Sequence, residues 1–129
     1  MPGQYPSAGP LPHLIDIWRA GTSKIDFFSP DIYFQNFAEW VRKYDRSGNA
    51  VFIPEAMPGP VDAVNAMYAI GQHNAIGFSP FSIDSLDEET TNAVTAGYDL
   101  LNQLTPLILN HQGKGTMAGL LRMRHLLPQ

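Results

Sequence analysis

Three copies of the tripeptide Phe-x-Pro, spaced 24 and 26 residues apart, divide this chain into repeating units: Phe28-Ser29-Pro30, Phe52-Ile53-Pro54 and Phe78-Ser79-Pro80. Each closes a short apolar run, at residues 25–28, 51–53 and 75–78, and each is followed by a segment with helical periodicity. A strand–helix unit repeated in register predicts parallel strands joined by right-handed crossovers. The proline marks the point where a strand stops pairing, because it has no N–H to donate. In folds built of such units, chemistry gathers at the carboxyl ends of the strands. Glu55 directly follows the second run and holds that position.

The 129 residues suffice for one small domain but for only about half of an eightfold βα barrel of roughly 250 residues. With 44% hydrophobic and 16% charged residues, the chain can bury a core and carries little solubilising charge. The formal net charge of −4 argues against a general nucleic-acid binder. The tail differs in sign: Lys114, Arg122 and Arg124 lie beyond residue 113 with no acid among them. Without cysteine there is no disulfide, no Cys-based zinc site and no thiol nucleophile. Met1-Pro2-Gly3-Gln4 lacks the basic and apolar regions of a signal peptide, and the compartment stays open. No apolar run approaches the ~20 residues of a membrane span, so no membrane partner is expected.

Along the chain, the prolines and glycines of residues 2–12 predict an irregular loop. Leu14, Ile17 and Trp18 form an apolar stripe on a short helix that Gly21 stops. Phe34, Phe37, Ala38, Val41 and Tyr44 predict an amphipathic helix over 35–46, ending near Ser47-Gly48. Pro60 suits the first turn of a helix over 60–70 that carries Ala63, Val64, Met67 and Ile70, with Gly71 as C-cap. Ser85-x-x-Glu88 reads as a capping box opening a helix over 86–109, with Asp87 and Glu89 also suiting its positive end. Val94, Tyr98, Leu101, Leu104 and Ile108 form its buried face, and Pro106 kinks it or ends its first part. Residues 1–112 thus form an α/β body of about three and a half βα units, and 113–129 a tail that no pattern places.

Glu55 is the foremost candidate for chemistry, in a mouth lined by Tyr33, Phe34, Phe78 and Phe81. A carboxylate there serves as nucleophile or acid/base; the plainer alternative is a helix-cap neighbour or an ion-pair partner. Asp31 holds the matching place in the first unit, where it either positions a substrate hydroxyl or builds a turn. Tyr33 either hydrogen-bonds a nearby carboxylate or packs as a structural ring. Ser79 and Asp84 are weaker candidates that also suit a helix start. His13, following the proline-rich loop, either contacts a ligand or starts the first helix. His13, His73, His111 and His125 show no metal-ligand spacing, and no cofactor motif is present.

Several segments together carry a resemblance: the run from Tyr5 to Trp18, Asp26-Phe27-Phe28-Ser29-Pro30-Asp31-Ile32-Tyr33, Phe52-Ile53-Pro54-Glu55-Ala56, and Ala75-Ile76-Gly77-Phe78-Ser79-Pro80-Phe81. They resemble the C-terminal part of the catalytic (βα)₈ barrel of bacterial β-galactosidase-like glycoside hydrolases of clan A, family 35 or 42 type. The resemblance spans roughly residues 3–118. It implies a partial TIM barrel, strands six to eight, with Glu55 as the strand-seven nucleophile of a retaining enzyme and Tyr33 as the tyrosine that hydrogen-bonds it. It also implies a carbohydrate substrate, a β-galactoside or similar, and a parent family often secreted or periplasmic. The clan's acid/base is a Glu after Asn, and no Asn-Glu pair occurs in these residues. Two expectations follow: a piece of a retaining β-glycosidase without turnover of its own, or a non-catalytic α/β remnant or carbohydrate-binding module. The open sheet edges of a partial barrel further predict self-association or aggregation.

Overall fold

The computed structural model describes residues 10–121. A 3₁₀ turn at Pro12–Leu14 runs into α1 (Ile15–Gly21); β1 (Asp31–Ile32), α2 (Phe37–Tyr44), β2 (Phe52–Ala56), α3 (Pro60–His73), β3 (Gly77–Pro80) and α4 (Glu88–His111) follow. The three strands form one open sheet, all parallel and in chain order, as the repeat requires. The fold is therefore α/β. Among the described residues no helix is long and apolar enough to cross a membrane.

Each strand lies later in the sequence than the apolar run that announced it. Residues 25–28 do not pair as a strand: the N–H and C=O of Phe28 both bond the Asn49 side chain, at 2.8 and 3.0 Å. Pairing starts only after Pro30, where Asp31 and Ile32 stand opposite Glu55 and Ala56. The central strand β2 runs through Pro54 and Glu55 instead of stopping before them. Between Ile53, opposite Phe78, and Ala56, opposite Pro80, β2 advances three residues against two in β3, which is a β-bulge. A bulge is where a central strand tolerates a proline, because one residue leaves the hydrogen-bond ladder. β3 likewise includes Pro80 as its last residue.

The helices need similar corrections. In α1 the buried residue is Ile15, whereas Ile17 and Trp18 of the expected stripe are exposed, because only one flank of this short helix meets the rest of the chain. Helix α2 buries Phe37, Trp40, Val41 and Tyr44 at helical spacing. Eight residues rich in aromatics are too few to hold a helix alone, so packing decides it. Helix α3 continues past Gly71 to His73 and is closed by Asn74 in the left-handed conformation (φ 51°). Asp87, not Ser85, is the N-cap of α4: its carboxylate accepts the Thr90 N–H at 2.7 Å. Pro106 sits at an exposed position inside α4, and the helix continues through it to His111. The buried residues of α4 are Val94 and Gly97, whereas Tyr98 of the expected face is 40% exposed. This helix packs chiefly across α3, so close that a methyl on Gly97 would stand 2.8 Å from that of Ala63.

The core lies between the sheet and the pair α2–α3: Ile32, Ile53 and Ala56 meet Phe37, Trp40, Val41 and Ala69, with Val51 and Ala75 below and Phe78 at the margin. Burying an aliphatic side chain of this size is worth about 1.5–3 kcal/mol. A second cluster, Ile15, Phe28 and Tyr44, joins α1 to the body. Arg46 ties the same region together, gripping both carboxylate oxygens of Asp16 at 2.7 Å. His73 Nδ1 lies 2.6 Å from Asp45 Oδ2 and links the last turn of α3 to the end of α2. The described part of the tail folds back onto α3, where Gly119 packs against the backbone of Tyr68 and Gln72. Residues 1–9 and 122–129, which hold the start of the proline-rich loop and Arg122, Arg124 and His125, lie outside the described residues.

Candidate functional site

The bulge at Pro54–Glu55 decides which way the candidate carboxylate faces. Ile53 and Ala56 both belong to the helix-side core, although strict alternation puts residues three apart on opposite faces. The extra residue between them reverses the alternation and leaves Glu55 on the face that the helices do not cover. Its register neighbour Asp31 lies on the same face, since Ile32 and Ala56, one residue on, point into the core.

Tyr33 follows β1 and donates its hydroxyl to Glu55 Oε2 at 2.8 Å. Burial, the hydrogen bond to Glu55 and the negative charges of Glu55 and Asp31 together push the Tyr33 phenol up to about 12, so it stays a donor across the physiological range. The Asp31 carboxyl is held above its ordinary value, first by burial and then by the charge of Glu55. The Phe81 ring meets that of Tyr33 edge to face at 6.3 Å. It is carried there by its own backbone N–H, which donates to the Ala56 carbonyl at 3.0 Å and laces the loop after β3 over the end of β2.

Asp31, Tyr33, Glu55 and Phe81 are thus brought together at the carboxyl end of the sheet. Phe78 is turned the other way, half-buried against Phe37 with ring centroids 6.0 Å apart. Phe34 packs beside Trp40 at 6.3 Å and also serves the core. His13 stands in the 3₁₀ turn and lines a separate hollow of about 450 Å³ with Leu11, Pro12, Trp40, Lys43 and Arg46. Ser79 is half-buried in β3, and Asp84 is exposed and accepts from the Ser85 hydroxyl at 3.1 Å. No group of three or more metal-ligating side chains converges among the described residues.

The residue that sequence reasoning missed is Asn49, whose amide makes three hydrogen bonds to backbone groups of Phe28 and Tyr44. Its only sequence signal is a place between a Gly turn and a strand, which many asparagines share.

The arrangement suits two kinds of work. A carboxylate steadied by a phenolic donor can act as a nucleophile, and exposed aromatic rings beside carboxylates offer both an apolar shelf and hydroxyl acceptors to a polyhydroxylated ligand. Comparison with protein-family models and with curated proteins finds no match to this chain.

Proposed function

We propose that these residues form strands six to eight of the (βα)₈ barrel of a retaining β-glycosidase, acting on β-galactosides or similar glycosides, with Glu55 as its nucleophile. The observation that carries the reading is the 2.8 Å hydrogen bond from Tyr33 to Glu55 at the carboxyl end of parallel strands. In this reading Glu55 Oε attacks the anomeric carbon and forms a glycosyl ester as the C–O bond to the leaving group breaks. Water then hydrolyses that ester. The Tyr33 hydroxyl keeps one carboxylate oxygen oriented and leaves the other free to attack. A second carboxyl about 5–5.5 Å away must protonate the leaving oxygen, and the reading assigns it to a strand other than these three.

The test is Glu55→Gln in a barrel containing these strands, assayed on an aryl β-galactoside. A loss on the order of 10⁴-fold or more is expected, as when a nucleophile is removed elsewhere. An activated 2-fluoro-galactoside should leave its covalent label on the peptide that holds Glu55. Near-normal turnover of the Gln variant, or a label on another carboxylate, would refute the assignment. The 129-residue chain alone is expected to show no hydrolysis above background, since it lacks the ~10²–10⁴-fold contribution of the general acid. The second reading, carbohydrate binding without turnover, is favoured by the exposure of Tyr33 and Phe81 beside the two carboxylates. Saturable binding of a β-galactoside by a barrel that hydrolyses none would select it.

A further inference from the structure

The weakest link in the site is β1, which pairs with β2 over only Asp31 and Ile32. Two residues do not hold a register, and a slip of one would exchange the faces of Asp31 and Ile32 and carry Tyr33 away from Glu55. Something upstream must fix the chain as it approaches the sheet. We propose that Asn49 is the positioning residue for the Tyr33–Glu55 pair, its amide standing in for the strand partner that residues 25–28 lack among the described residues.

The geometry is specific to an asparagine. Asn49 Oδ1 accepts the Phe28 N–H at 2.8 Å, while the two Nδ2 hydrogens go to the carbonyls of Phe28 at 3.0 Å and Tyr44 at 2.9 Å. Both donors and one acceptor of the amide are used, and the residue is 6% exposed. An aspartate has no hydrogens for the two carbonyls, and an alanine reaches none of the three groups. The clamp is itself anchored. The Asn49 N–H donates to the Arg46 carbonyl at 2.8 Å across a turn whose Gly48 has φ 72°, and Arg46 is locked on Asp16. Between clamp and strand stand only Ser29 and Pro30; Pro30 is fully buried, and its ring removes the freedom of φ. Fixing Phe28 at both of its backbone groups therefore fixes where Asp31 meets Glu55, and through it where Tyr33 lands.

The test reads the Tyr33 contact directly in the full chain. With tyrosine labelled at the ring carbon bearing oxygen, and Tyr33 assigned by its loss in Tyr33→Phe, NMR should follow the phenol titrating at about 12 in the wild type. Asn49→Asp and Asn49→Ser are expected to lower that midpoint toward the ordinary value of 10.0 in protein that still melts cooperatively. His73→Ala, which cuts the tie between α2 and α3 instead, should lower the melting temperature and leave Tyr33 near its wild-type midpoint. A folded Asn49 variant with unchanged Tyr33 titration would overturn the proposal. Hydrogen exchange in the wild type decides it where neither variant folds. The Phe28 amide should be protected to within about tenfold of the Ile76 amide, which bonds the Val51 carbonyl at 2.8 Å; exchange of Phe28 at the rate of an open loop would rule the clamp out. The role concerns the site of the proposed glycosidase, but no readout involves turnover, so either idea can fail while the other stands.

Discussion

The two faces of the three-stranded sheet obey different rules. On the helix-covered face, Ile32, Ile53 and Ala56 are each at most 2% exposed and are surrounded by apolar neighbours from α2 and α3. On the other face the Phe52 ring lies across Gly77, whose added methyl would meet it at 2.5 Å, and Phe27 stacks edge-on against Phe52 at 6.1 Å. Higher on the same face stand Asp31 and Glu55, with Tyr33 bonded to Glu55. One face is satisfied by packing alone. The other exposes the rings of Phe27, Tyr33 and Phe81 and holds two carboxyls side by side.

Truncation at matched positions should separate the faces most sharply. Ile53 and Phe52 are adjacent, with the larger side chain on the open face. Ile53→Ala is expected to cost about 2–4 kcal/mol in urea unfolding, because the cavity it leaves is enclosed on every side. Phe52→Ala should cost about 1 kcal/mol, since its ring is only half-buried, on the face that no helix covers, and the space it leaves opens to solvent. Equal costs would mean that the open face is a packed core.

That contrast also marks what the sequence makes legible. The Phe-x-Pro spacing captures the order and direction of the strands, because repeated connections of one length force parallel neighbours. It misplaces their limits, because a proline ends a strand only if its missing N–H falls on the ladder, and at Pro54 a bulge removes that demand. Helix α2 is legible from its period, since one continuous face is buried. The stripe Leu14, Ile17 and Trp18 misleads because apolar spacing does not say whether a partner lies opposite. Glu55 and Tyr33 are visible as candidates, but the side of the sheet they face depends on one extra residue in the ladder. Asn49 is invisible: its role lies in bonds to residues 21 positions away.

Association offers a second way to divide the faces. With both outer edges of the sheet unpaired among the described residues and Phe27 and Phe52 on the uncovered face, the 129-residue chain is expected to self-associate at micromolar concentration. Phe27→Ser with Phe52→Ser should weaken that association roughly tenfold or more by light scattering, a change of about 1.4 kcal/mol. The exposed pair Ile17 and Trp18, changed to Ser in the same way, should have a smaller effect, because it lies on helix α1 and not on the sheet. A wild-type monomer with a cooperative melt would show that the face needs no cover.

The smallest expected effect is a titration, and its sign distinguishes the open face from the ordinary surface. Exposed carboxyls paired with a cation or a backbone N–H, such as Asp16 on Arg46 and Asp87 at the start of α4, are held below their ordinary values. Asp31 is shifted the other way, and burial is the first cause, ahead of the charge of Glu55. Glu55→Gln should therefore lower the Asp31 midpoint only in part, and carboxyl-carbon NMR should still find it above 3.8. The linkage has a definite direction. Between 3.8 and the folded-state midpoint the unfolded chain has lost the Asp31 proton while the folded chain keeps it, so stability falls as pH rises through that window and is level above it. Asp31→Asn should remove this slope, whereas Asp16→Asn should remove the opposite one, in which stability is lost as pH falls. If Asp31 returned to its ordinary value on Glu55→Gln alone, charge rather than burial would govern it, and the open face would be wetter than its geometry implies.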